Sequence, residues 1–252
     1  MSISVKSERK PLDFIGCRVK FRGMNSLLEF GILIGIPILF GLWAQMKVSA
    51  AFKKWSQIRA ASGVTGAEAA RRILAAANIN DVQVVEINDM LGDHYDPSNK
   101  RLCLSTPVYN EPSVASLGIA AHECGHAIQH ARAYAPLQWR MAVVPSTMIV
   151  SKILPFVILG AIFIPALGMK AIMIAAICYA VLALFQLITL PVEFDATKRA
   201  KVILQKMGMV SAQEATGVNK VLDAAALTYV AAFVAVLGQL LYYVLILMGN
   251  RR

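Results

Sequence analysis

The sequence predicts a mainly α membrane protein, with about four transmembrane helices and a small α+β, zincin-like segment between the first and second. Three observations carry this reading. Of the 252 residues, 57% are hydrophobic and only 16% charged, too apolar for an ordinary water-soluble domain. The apolar excess falls into four blocks long enough to cross a bilayer of about 30 Å at about 1.5 Å per residue. Outside those blocks, His122-Glu123-Cys124-Gly125-His126 places a His-Glu-x-x-His string in a helix-forming run.

Residues 1–26 form a basic N-terminal segment, most of which drops out if translation begins at Met24. Residues 27–46 are the first span. Gly41 to Met46 offers no small-x-small cleavage site, so the block reads as a retained anchor rather than a signal peptide. Residues 47–152 are the catalytic segment. In it, Lys47 to Ala61 predicts a polar-basic helix along the membrane surface. Thr65-Gly66-Ala67-Glu68 is a capping-box pattern that opens an amphipathic helix over Ala67 to Ala77. Val82 to Ile87 and Arg101 to Ser105 read as short strands, separated by Asp-, Gly- and Pro-containing turns. Pro112-Ser113 begins the helix that carries the two histidines to about Ala131.

Residues 153–190 hold the second and third spans, Ile153 to Met169 and Ala171 to Leu190, with a turn around Gly168 and Lys170. Residues 191–224 contain carboxylates and a basic run, and 225–248 are the fourth span. Four spans alternate sides, so 47–152 and 191–224 face one compartment. With Met24 as the start, basic residues near the spans are concentrated on that side, which predicts a cytoplasmic site.

The net charge of +10 does not indicate nucleic acid. The basic residues flank spans in short clusters (Arg18, Lys20, Arg22; Lys53, Lys54; Lys198, Arg199, Lys201), as anionic lipid head groups require, and no aromatic-basic stripe accompanies them. The lipid bilayer is therefore an expected partner, nucleic acid is not, and no signal identifies another protein. The four cysteines are scattered without a Cys-x-x-Cys pair, so they imply no disulfide framework.

Residues four apart share a helix face, so His122 and His126 can reach one Zn2+ ion. Glu123, turned aside by about 100°, can hold a water bound to that metal and act as general base. The third ligand must come from the same side. His130 is separated from His122 by about 12 Å of helix rise, too far for ligands of one ion, and reads as an outer or surface residue. No Asp or Glu occurs between Glu123 and Glu193. Then Pro191-Val192-Glu193-Phe194-Asp195-Ala196 brings two carboxylates to the end of the third span. Glu193 is the expected ligand, completing a His-His-Glu set, with Asp195 orienting a histidine; Asp195 as the ligand is the alternative. Asp93-His94-Tyr95-Asp96-Pro97 is the remaining polar cluster, a candidate substrate-binding stretch in which His94 or Tyr95 helps stabilise the oxyanion.

HECGHAIQHA (122–131), PVEFDA (191–196), AAALTYVAA (224–232), TGAEAARRIL (65–74) and DHYDP (93–97) resemble the bacterial YugP-type neutral zinc metallopeptidases. The resemblance runs from about Met24 to the end. It implies a membrane-integrated zinc peptidase of the gluzincin kind, similar in logic to HtpX-type proteases, in a bacterial inner (plasma) membrane. His122, His126 and Glu193 would be its ligands. Cys124 departs from the aliphatic residue expected there.

The sequence thus predicts a zinc metallopeptidase that hydrolyses peptide bonds of membrane or membrane-proximal polypeptides, with a peptide laid along an edge strand near Leu102 to Ser105. The alternatives are a zinc hydrolase of a non-peptide or lipid-linked amide, and a non-catalytic scaffold that holds zinc.

Overall fold

A computed structural model describes residues 23–89 and 92–249; most of the basic N-terminal segment, with Cys17, lies outside the described residues. Helix α1 (Gly23–Phe30) passes through a π-helical stretch (Gly31–Gly35) into α2 (Ile36–Ser56). Lys47 to Ser56 are therefore the last turns of the first spanning helix, not a separate surface helix. The reason is local: this stretch contains neither Gly nor Pro, so nothing breaks the helix where apolar residues give way to basic ones.

Among the described residues, four helices are long and apolar enough to cross a membrane: Leu27–Ser56, α6 (Ala135–Phe163), α7 (Gly168–Lys206) and α8 (Ala212–Gly249). All four extend well beyond their apolar blocks. Helix α6 starts 18 residues before Ile153, which brings Arg140 to Glu193. Helix α7 continues through Pro191 to Lys206. The proline removes one backbone donor, but the helix is held on both sides of it by packing against α5, α6 and α8.

Between the first and second spans lie α3 (Gly66–Ala76), β1 (Gln83–Ile87), β2 (His94–Asp96), β3 (Arg101–Ser105), α4 (Thr106–Asn110) and α5 (Val114–Ala131). Thr65 caps α3 by accepting from the Glu68 amide at 3.2 Å. The reciprocal half of the capping box is absent, because the Glu68 carboxylate pairs with Arg72 one turn on. Ser113 caps α5 in the same way, accepting from the Ser116 amide at 3.1 Å.

The sheet order is β1-β3-β2, with β3 parallel to β1 and antiparallel to β2. This corrects the expected position of the edge. Arg101 to Ser105 is the central strand, paired along its whole length with β1 and over Arg101 to Cys103 with β2. Beyond that pairing, the Ser105 amide donates to Asp93 at 2.7 Å. A peptide cannot add there. The edge strand in contact with α5 is β2, a three-residue element inside a segment whose polar residues and proline look like a turn.

One core joins this segment to the long helices. Ile73 and Leu74 of α3, Leu102 and Leu104 of β3, and Leu117 and Cys124 of α5 pack with Leu204 of α7 and Leu222 of α8. The polar ends of α7 and α8 are thus part of the small domain's core. That shared packing fixes where the carboxylates of α7 stand relative to α5.

Candidate metal centre

Helices α5 and α7 meet at Gly125. A Cβ there would come within 2.8 Å of the Ala196 carbonyl oxygen, so the missing side chain lets α7 approach the face that carries both histidines. His122, His126 and Glu193 each contribute an atom to a buried cluster whose members all lie within 4.8 Å of one another. Glu193 Oε2 is 3.3 Å from His122 Nε2 and 3.4 Å from His126 Nε2, and Glu193 is only 1% exposed.

Each member is oriented from behind. Gln129, completely buried, donates from Nε2 to the Val192 carbonyl and to Asp195 Oδ2, both at 2.8 Å. Those two acceptors fix which way the amide points and aim Oε1 at His126 Nδ1, 3.1 Å away. Because an amide oxygen only accepts, His126 Nδ1 carries the proton and Nε2 keeps its lone pair toward Glu193. His122 Nδ1 meets Thr197 Oγ1 at 3.2 Å. Glu193 Oε1 accepts from Arg140 Nη1 at 2.9 Å, which leaves Oε2 for the histidines. Tyr229 of α8 lies near Glu193.

Three acceptor atoms converging in a buried space repel one another unless a cation or proton lies between them. Two imidazole nitrogens and one carboxylate oxygen are a donor set suited to catalytic zinc, and the outer partners on both rings and the carboxylate are those that metal ligands need. The residues fit the ion. Without it, His126 is held above the ordinary histidine range. Burial alone would lower it, but the hydrogen bond to Glu193 and the charges of Glu123 and Glu193 outweigh burial.

Glu123 is 7% exposed, and among the described residues no side chain hydrogen-bonds or pairs with its carboxylate. Asp195 is drawn away from the cluster by Arg199 and Gln129; it reaches His126 only through Gln129. His130 lies outside the cluster, its Nδ1 2.9 Å from the Tyr95 hydroxyl, so these two residues tie β2 to α5. His94 is exposed, with Nδ1 2.7 Å from the Gly92 carbonyl. Asp93 holds the loop to β3 through the Ser105 amide and hydroxyl, and burial pushes its carboxyl above the usual range. The Cys124 thiol points away from the cluster, buried against the Ala70 carbonyl of α3.

Sequence reasoning did not single out Arg140, Gln129, Thr197 or Tyr229 as site residues. Gln129 follows His126 by three, and Thr197 follows Glu193 by four, so both spacings carried a signal once Pro191 to Lys206 is seen to be helical. Tyr229 lies in AAALTYVAA (224–232), without a spacing that links it to the histidines. Arg140 comes from a different helix, and no local pattern marks it.

Comparison with known proteins gives a consistent picture. A family model described as "Putative neutral zinc metallopeptidase" matches residues 30–248. The chain is 44% identical over 209 residues to "Putative membrane protease YugP" of Bacillus subtilis (strain 168), an alignment covering 83% of this chain and 92% of that protein. No solved structure matches.

Proposed function

The chain belongs to this family of zinc metallopeptidases, and on that premise we propose that it hydrolyses peptide bonds of membrane or membrane-proximal polypeptides, with Glu123 as general base. The observation that carries the reading is the convergence of His122, His126 and Glu193 beside Glu123, whose carboxylate has no side-chain partner among the described residues.

His122, His126 and Glu193 would hold zinc, which would supply Lewis acidity toward the scissile carbonyl and a water of pKa about 7. Glu123 takes a proton from the attacking water and passes it to the leaving amine. Among the described residues no side chain competes for its carboxylate, which leaves it available for that exchange. Gln129 holds His126 in the tautomer a ligand needs, and Thr197 braces His122. Arg140 splits the duties of Glu193, occupying Oε1 and leaving Oε2 for the ion. Tyr229, near Glu193, is the candidate donor to steady negative charge on the substrate carbonyl oxygen. His94 and Tyr95 belong to the peptide-binding edge instead: the substrate adds as a strand beside His94 to Asp96, a strand anchored to α5 by Tyr95 and His130.

The protein is integral to the membrane. Glu193 lies just beyond the apolar run that ends at Leu190, which supports chemistry at the membrane surface; the basic residues near the spans support the cytoplasmic side of a bacterial inner membrane. Cleavage of an unfolded protein such as casein, abolished by a chelator and restored by zinc, tests the reaction class. Retained zinc without cleavage of any polypeptide would point instead to a non-peptide amide.

A further inference from the structure

We propose that the groove between α2 and α8 seats the headgroup of an anionic phospholipid. The groove, of about 540 Å3, is lined by Lys47, Lys54 and Trp55 of α2 and by Lys220, Asp223 and Ala224 of α8. Its one carboxylate is already engaged: Asp223 Oδ1 pairs with Lys201 of α7 at 2.5 Å. Among the described residues, Lys47, Lys54 and Lys220 form no ion pair; Lys47 and Lys54 lie over the rings of Trp43 and Trp55, at 4.9 and 5.6 Å. Three ammonium groups from two helices therefore share a groove without an anionic partner of their own.

The level of the groove selects the anion. Lys47 directly follows the apolar block that ends at Met46, and Lys220 precedes the block that begins at Ala225, so the lysines mark the boundary on both helices. Immediately below them on α2, Leu42, Trp43 and Met46 are exposed, as acyl chains require. The floor is rigid, because Gly217 packs beneath Trp55, where a Cβ would come within 2.3 Å of the ring. A phosphodiester at this height meets the lysines while its chains descend along α2 and α8, and a Trp ring at the same height is the usual interfacial anchor. The seat does not depend on the peptidase reading.

The test is native mass spectrometry of the detergent-purified chain exposed to phosphatidylglycerol or phosphatidylcholine. The expected result is retention of phosphatidylglycerol over phosphatidylcholine by roughly tenfold. That preference should be lost in the Lys47→Gln/Lys220→Gln pair and kept in the Lys47→Arg/Lys220→Arg pair, at unchanged melting temperature. Equal retention of the two lipids by the wild type, or an undiminished preference in the Gln pair, overturns the proposal. Displacement of the lipid by excess inorganic phosphate also overturns it, because the seat would then be a free-phosphate site. Should the Gln pair fail to fold, the wild type decides: a preference that collapses with rising salt supports the seat, and one indifferent to salt refutes it.

Discussion

Gly125 of α5 and Ala196 of α7 are in backbone contact: a Cβ on Gly125 would stand 2.8 Å from the Ala196 carbonyl oxygen and 3.0 Å from its Cα. That contact sets the separation of the two helices one turn from where Glu193 meets the histidines. Gly125→Ala should therefore act on the site although it touches no ligand. Alanine gains about 1 kcal/mol in helix propensity, but the clash is with backbone, which cannot rotate away, and overpacking of this kind costs about 1–3 kcal/mol. The expected outcome is a lower melting temperature together with weaker zinc retention. Normal zinc retention in the alanine variant would show that the close approach is not needed for ligation.

Arg140 and Glu193 make a testable pair. Glu193 is almost fully buried, so Arg140→Ala leaves Oε1 without its donor and frees the carboxylate to turn from the histidines. Zinc affinity should fall by about 10–100-fold, as for other outer partners of metal ligands. Arg140→Lys should recover part of the loss, since a lysine supplies the charge without the planar fork. Competition with a fluorescent chelator measures both. Unchanged affinity in Arg140→Ala would remove Arg140 from the zinc site.

The four residues of this surrounding shell separate what a sequence shows from what it hides. His122, Glu123 and His126 are legible because one helix turn brings them together, a relation contained in their spacing. Glu193 is legible from the charge desert before it and the alternation of spans. Arg140 reaches the site because α6 begins well before its apolar block, and Tyr229 because α8 crosses α7 at a particular height; hydropathy encodes neither. Strand β2 was hidden for another reason: Asp93 to Pro97 has the composition of a turn, and only pairing with β3 makes His94 to Asp96 a strand.

The raised pKa of His126 gives a pH signature with a definite sign. Without metal, the protonated ring paired with Glu193 stabilises the fold. That contribution is fully present below the unfolded value near 6.5 and is lost as pH rises through the higher folded value. Zinc binding runs the other way, since ligation needs the neutral ring. The gap in melting temperature between zinc-loaded and chelator-treated protein should widen as pH rises from about 6 to about 8. A gap independent of pH would count against ligation by His126.

Cys124 sits between the ligands in sequence yet faces the opposite way. It is fully buried, and burial pushes its thiol well above the ordinary range, so the reactive thiolate is suppressed. Cys124→Ala should keep zinc and activity, and a maleimide should label Cys124 only after unfolding. Loss of zinc in Cys124→Ala at unchanged stability would contradict this placement.

The most direct test compares the detergent-purified wild type with Glu123→Gln, measuring zinc content and casein cleavage side by side. One zinc in each protein with cleavage only by the wild type is the predicted result, because the substitution spares the ligands and removes the base. Equal cleavage by both proteins, or no zinc in either, would contradict a zinc peptidase that works through Glu123.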